Sequence, residues 1–164
     1  MHKPLLRRAT PGDAATLARL HHHLQSWHAA TYPQVFFASP DPTALTAHFE
    51  KRLREPSTTC FLAGETEGDP AMGYALCTLQ QRPLSLFSPP IRRILIEHIA
   101  VAPEARRQGL GAALLQEARR LAHDLSCDEI LLDTWEGNIE AHAFFAANGF
   151  APRRMLFRAV PLEA

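Results

Sequence analysis

Two stretches of the chain carry residue types that chemistry uses. In Pro103–Ala122, PEARRQGLGAALLQEARRLA, the cations Arg106 and Arg107 and the amide Gln108 stand directly before Gly109 and Gly111, and an amphipathic run follows. A helix starts with amide N–H groups that have no partner inside it, and its dipole favours negative charge at that end. Glycine has no Cβ to keep an anion away from the backbone. The pattern reads as a phosphate site, or alternatively as two glycines that only let a strand and a helix pack closely. The second stretch, Ile94-Leu95-Ile96-Glu97-His98-Ile99-Ala100-Val101, is apolar on both faces apart from Glu97 and His98. Such a strand belongs in the middle of a sheet. Burial there raises the pKa of an unpaired carboxylate towards the range of a general base. The alternative for Glu97 is pairing with an arginine such as Arg93. His98 points the opposite way in a regular strand, so it serves as a base only if a bulge turns it.

Two familiar phosphate motifs do not fit. A P-loop ends in Gly-Lys-Ser/Thr, where this chain has Leu110-Gly111-Ala112. A dinucleotide fingerprint needs a third small residue where Leu114 stands, and it normally follows a domain's first strand.

The elements that must position these residues follow from pattern. Leu5 to Arg8 reads as a strand, and Thr10-Pro11-Gly12-Asp13 as a turn and helix start that Asp13 or Thr10 can cap. Ala14 to His28 has helical period, with Leu17, Leu20 and Leu24 on one face. Tyr32-Pro33 breaks it, and Pro40-Asp41-Pro42 opens a second helix to Arg54. Thr59–Glu65 and Ala71–Leu79 read as strands joined by residues 66–70, and Arg82 to Pro90 as a loop. Ile91–Val101 is the most apolar strand. A helix from Leu110, a strand Ile130–Trp135, a short helix Ala141–Ala147 stopped by Gly149 and a last strand Arg153–Val160 complete the order β-α-α-β-β-β-α-β-α-β. The fold class is α/β (α+β): one mixed, mostly antiparallel sheet flanked by helices, in a single domain over residues 1–164.

Composition narrows function further. Lys+Arg and Asp+Glu both number 17, without the basic excess that non-specific nucleic-acid binding uses. No apolar run reaches the length of a membrane span. Three widely spaced cysteines, Cys60, Cys77 and Cys127, argue against a disulfide framework and read as small core residues. His21-His22-His23 fans around a helix, reads as solvated surface and presents no metal face. These features point to a cytoplasmic protein with no metal, nucleic-acid or membrane partner. The short segment after Phe150 and an exposed edge strand allow a homodimer.

Arg106-x-x-Gly109-x-Gly111, preceded by Val101-x-Pro103, resembles the acetyl-CoA signature Arg/Gln-x-x-Gly-x-Gly/Ala of the GCN5-related N-acetyltransferases (GNAT). Downstream, Asn138-x-x-Ala141-x-x-Phe144-Phe145-x-x-x-Gly149-Phe150 resembles that family's second block. The resemblance implies acetyl-CoA as cofactor. Its pyrophosphate would lie on the turn of Arg106, Arg107, Gln108, Gly109, Leu110, Gly111 and Ala112, and its pantetheine arm along Ile99, Ala100 and Val101. Asn138, Phe144 and Phe145 would reach the cofactor from the next helix. Asn138 also fits a plain N-cap, and Phe144 a core position.

The strand Ile-Glu-His-Ile is similar to one in polyamine acetyltransferases, whose Glu lies near the incoming amine. This implies Glu97 as base, acting through a water, or as an ammonium anchor, with an N–H near Ile99 holding the thioester oxygen. Acetyl passes directly to the amine, and CoA leaves as thiolate. The family's general-acid Tyr is replaced by Phe145; His142, Tyr32 and Tyr74 are the candidate substitutes. The first two helices and the loop before the fourth strand would form the acceptor pocket, with Trp27, Tyr32, Phe36, Phe87 and Glu97 touching a small-molecule amine. Aromatic core is the alternative for the rings. A protein acceptor, or a non-catalytic acyl-CoA-binding module, are the rival functions.

Overall fold

The computed structural model describes residues 4–64, 68 and 70–159. The chain divides into two compact units, Met1–Asp133 and Thr134–Ala164.

The first unit contains a five-stranded sheet in the order β1-β2-β3-β4-β5. Its strands are β1 (Leu5–Arg8), β2 (Thr58–Gly64), β3 (Gly73–Arg82), β4 (Ile91–Val101) and β5 (Glu129–Leu132). β1 to β4 are antiparallel neighbours, and β5 runs parallel to β4. That parallel pair needs a crossover, which the helix α3 (Leu110–Asp124) supplies. Helices α1 (Ala14–Thr31) and α2 (Pro42–Arg54) lie between β1 and β2 in sequence.

The starts of α1 and α2 have local causes. The N–H of Thr10 donates to Asp13 at 2.8 Å, and Arg7 clamps the same carboxylate at 2.6 Å. That arginine, with Thr10, holds the Asp13 carboxyl far below the usual range despite partial burial. Asp41 caps α2 by accepting from the Ala44 N–H at 2.7 Å, and Pro42 fits the first helical position, where no donor is needed.

The two faces of the sheet carry separate cores. Directly paired residues share a face, so Cys60, Leu62, Tyr74 and Leu76 lie together; they pack with Leu17 and Leu20 of α1 and Phe49 of α2. Alternation sends Ala75 and Cys77 to the opposite face. There α3 buries Leu110, Leu114, Leu115, Ala118, Leu121 and Ala122. Close packing on this side is the work of Gly73. A Cβ at that position would stand 3.1 Å from the Ala100 carbonyl oxygen and 3.4 Å from Leu114 Cδ1.

The second unit holds α4 (Ile139–Ala147), ended by Gly149 in the left-handed region at φ 78°. The expected last strand does not form across Arg153–Ala159; Val160 lies outside the described residues. Met155, Leu156 and Phe157 are consecutive apolar residues, 72%, 97% and 85% exposed. Without period-two alternation the segment specifies no face to bury. Among the other expected boundaries, β5 stops three residues before Trp135. Glu65, Thr66, Glu67 and Asp69, expected at a strand end and turn, lie outside the described residues.

Leu114 is fully buried beneath the sheet. Leu114→Ala is expected to cost about 2–5 kcal/mol of unfolding free energy, read as a lower urea midpoint. A loss below about 1 kcal/mol would show that α3 is not packed as described.

Candidate functional site

The central strand is not regular. On β3, Leu76 pairs with His98 and the next residue, Cys77, pairs with Ile96, so Glu97 is an extra residue bulged out of the ladder. The bulge has two consequences. Parallel pairing of β5 runs only from Arg93↔Glu129 to Ile96↔Leu132, so Ile99, Ala100 and Val101 continue beyond the end of β5. Glu97 and His98 also reach the same side, towards α2, where a regular strand would have separated them.

Glu97 meets Arg52 in a two-pronged ion pair. Arg52 Nη1 donates to Oε2 at 2.8 Å and Nη2 to Oε1 at 2.7 Å. The Thr78 hydroxyl donates to Oε1 and accepts from Arg52 Nη2 at 2.9 Å. Glu55 stands 3.0 Å from Arg52 Nε. Burial pushes the Glu97 carboxyl up, but the Arg52 and Thr78 hydrogen bonds outweigh it, and its pKa ends below the ordinary carboxylate value. The expectation of a raised pKa is therefore corrected, because a buried charge with a bidentate partner stays ionised. The arginine is Arg52, not Arg93, which instead bonds Gln80 at 2.9 Å and faces Glu129 at 3.5 Å.

His98 joins a buried ring cluster. Its centroid lies 4.7 Å from that of His21, 6.2 Å from Phe49 and 6.3 Å from Tyr74. The fully buried Tyr74 shares a 2.8 Å hydrogen bond between its hydroxyl and His21 Nδ1. His21 is thus buried, against the expectation of a solvated histidine run; His22 is exposed. Burial pushes both His21 and His98 down to about 4, so both are neutral near pH 7. His98 Nδ1 has no hydrogen-bond partner among the described residues.

The glycine turn takes a different form. Arg107 and Gly109 both have left-handed backbone, φ 61° and 85°. Gly109 occupies the N-cap of α3 with no capping side chain, so the first amides of the helix, at Leu110, Gly111 and Ala112, are left without a cap. A Cβ built on Gly109 would meet nothing within 4 Å. Close packing therefore does not explain this glycine. Arg106, Arg107 and Gln108 are exposed around it, with Arg106 Nε 3.5 Å from the Val101 carbonyl. Uncapped amides, open space and adjacent cations fit a diphosphate.

In the second unit, Asn138 Oδ1 accepts from the Ala141 N–H at 3.1 Å, so its cap role is real. Phe145 is the buried ring, 6.0 Å from Phe150, whereas Phe144 is only half-buried, against its expected core place. His142 Nε2 donates to the Trp135 carbonyl at 3.0 Å.

On α1 and the segment after it, Trp27, His28, Tyr32 and Phe36 cluster. His28 stacks on Phe36 at 4.6 Å, and Trp27 meets Tyr32 at 6.2 Å. Phe87 is 96% exposed. Cys60 and Cys77 are buried, and desolvation pushes both thiols well up, that of Cys77 to about 12. Neither is a ready nucleophile.

Sequence reasoning missed Arg52 and Thr78, and it missed the buried pairing of His21 with Tyr74, because it reads the first as solvated surface and the second as a substitute acid. One signal existed: Arg52 lies three residues after Phe49, on the inward face of α2.

Comparison with known proteins identifies the class. Residues 21–150 match the acetyltransferase (GNAT) family, and the chain belongs to it. It is an N-acetyltransferase by family. The chain is 28% identical to the aminoglycoside N(6')-acetyltransferase type 1 of Stenotrophomonas maltophilia, over 98% of this chain and 95% of that one. A tetramutant protein of Bacillus halodurans has the same fold at 23% identity, with a TM-score of 0.89 over 96% of this chain and 99% of that chain. The aminoglycoside N-acetyltransferase AAC(6')-Iy, solved in complex with CoA, aligns with a TM-score of 0.73 at 21% identity, over 98% and 96% of the two chains.

The buried histidines fix a pH dependence. Their folded pKa values, about 4, lie below the ordinary 6.5. Between those limits the unfolded chain binds more protons, so their contribution is complete above 6.5 and is lost as pH falls towards 4. Glu97, also lowered, adds a loss at more acid pH. The urea midpoint should therefore drop between pH 6.5 and 4. His98→Gln should flatten that drop; an unchanged slope in the variant would contradict the neutral, buried assignment.

Proposed function

We propose that this chain moves an acetyl group from acetyl-CoA to a primary amine of a small molecule by direct transfer. The observation that carries the reading is Gly109: left-handed, uncrowded, and at the start of a helix whose first amides lack a cap. Backbone donors from Arg107 to Ala112 would hold the CoA diphosphate, and the free stretch Ile99–Val101 past β5 would pair with the pantetheine amides, with an N–H near Ile99 facing the thioester oxygen. Asn138, Phe144 and Phe145 are the further cofactor contacts that the family resemblance implies. The family match crosses from one unit into the other, which supports a single transferase domain.

The amine must lose a proton before it attacks. Glu97 is ionised but engaged by Arg52, so its part is to shape the strand and to accept a proton through a water when the pair loosens. His98, neutral and turned to the same side by the bulge, is the second candidate acceptor. No Tyr is needed for the leaving group. An ordinary thiol has a pKa near ~8.5, so the thiolate departs without strong help. Tyr74 is no substitute, because its hydroxyl is buried against His21.

Calorimetry with CoA tests the cofactor half. Gly109→Val should weaken CoA binding by about tenfold or more, ~1.4 kcal/mol, because a branched side chain disfavours this backbone. Equal affinity would remove the diphosphate from this turn. Glu97→Gln should lower kcat with CoA affinity near wild type, and unchanged turnover would remove Glu97 from the chemistry. Acetyl-CoA binding without turnover of any amine or peptide would favour the non-catalytic module instead.

A further inference from the structure

The α1–α2 wall carries little negative charge. From Ala14 to Arg54 the only acids are Asp41 and Glu50, against Arg19, Lys51, Arg52 and Arg54 and five histidines, His21, His22, His23, His28 and His48. Neither acid is idle. Asp41 caps α2 through the Ala44 N–H at 2.7 Å, and Glu50 pairs with Arg54 at 2.6 Å. The two carboxylates next to this wall, Glu55 and Glu97, both face Arg52, at 3.0 and 2.7 Å.

An amine with several ammonium groups must replace the water around each of them, which takes several uncommitted carboxylates. Drawing Glu97 towards such a substrate would strand Arg52 at the base of α2. What the wall offers instead is aromatic surface, the Trp27, His28, Tyr32 and Phe36 cluster, with Trp27 5.3 Å from His28. Desolvation holds His28 below its ordinary pKa, which favours a neutral ring. A ring face stabilises one cation modestly, by about 0.5–2 kcal/mol, and flat apolar groups pack on it. Neutral surroundings also ease loss of the amine proton, where a cage of carboxylates would hold it.

Resting on the acetyl-transfer reading, we propose that the acceptor is a monoamine carried on a flat apolar body, and that polycationic amines are disfavoured, because each carboxylate of the α1–α2 wall and of β4 beside it is already engaged within the fold. Recognition then depends on the aromatic cluster, and Glu97 serves the strand rather than a distant ammonium.

The test uses the full chain with CoA bound, and tryptamine and phenethylamine against spermidine and kanamycin. Binding is measured by calorimetry, and transfer separately by release of free thiol from acetyl-CoA. Tryptamine should bind at least about tenfold more tightly than spermidine, and Trp27→Ala should erase that preference without changing CoA affinity. Arg52→Gln, which releases Glu97, should shift the preference towards spermidine. Tighter binding of spermidine or kanamycin, or binding of none of the four, overturns the proposal. Preferred binding of tryptamine without any thiol release supports the class of ligand and overturns acetyl transfer, so the two failures are separable.

Discussion

The ion pair between Arg52 and Glu97 is the constraint on which the rest of the first unit depends. A carboxylate at the centre of a sheet is tolerated only when a cation meets it with good geometry, and breaking such a pair strands the other charge. Here the cation comes from α2, the carboxylate from the bulge in β4, and a hydroxyl from β3 ties them together. Strand shape and helix docking are therefore one problem. If α2 shifted, Glu97 would lose its partner; if β4 were regular, Glu97 would still face α2, but His98 would turn to the other side and the β5 ladder could continue. The pair fixes the helix, and the bulge frees the end of the strand.

Charge is distributed unequally as a result. On the α1–α2 face the carboxylates are engaged and the buried histidines are neutral, so that side has little loose negative charge to hold a cation. At the start of α3 the reverse holds, with donors unpaired and arginines exposed. An anionic cofactor suits the second place, and a neutralised amine suits the first. The division follows from the same strand, because β4 carries Glu97 in its middle and leads into the glycine turn at its end.

Most of this architecture was legible in local pattern. β1 and β4 begin and end where alternation and apolar runs place them, α2 starts at its Asp41-Pro42 cap, and α4 ends before a left-handed Gly149. What the sequence could not display was register. The bulge exists because β3 pairs Leu76 and Cys77 with residues two apart on β4, a non-local fact. Without it His98 pointed away from Glu97, β5 ran three residues too long, and the arginine partner was sought on the wrong element. His21 misled for a similar reason: three adjacent histidines look solvated until tertiary packing selects the one that faces Tyr74. The last strand failed because Met155, Leu156 and Phe157 hold the apolar character of a strand without its alternation.

Glycine is often explained by conformation alone, and this chain lets that explanation be tested internally. Arg107 adopts left-handed backbone at φ 61° with a full side chain, two residues before Gly109 at φ 85°. An L-residue in that region costs roughly 1–2 kcal/mol, a cost this turn already bears at Arg107. Left-handedness by itself is thus an incomplete reason for glycine at 109. Packing is not the reason either, since a Cβ there would touch nothing, whereas the Cβ of Gly73 would press on Ala100 and Leu114. The two glycines answer different demands: Gly73 makes room for the protein's own helix, and Gly109 leaves room outside it. The space that a side chain at 109 would enter is open and adjoins the uncapped first turn of α3, which is what the proposed diphosphate site asks of this position.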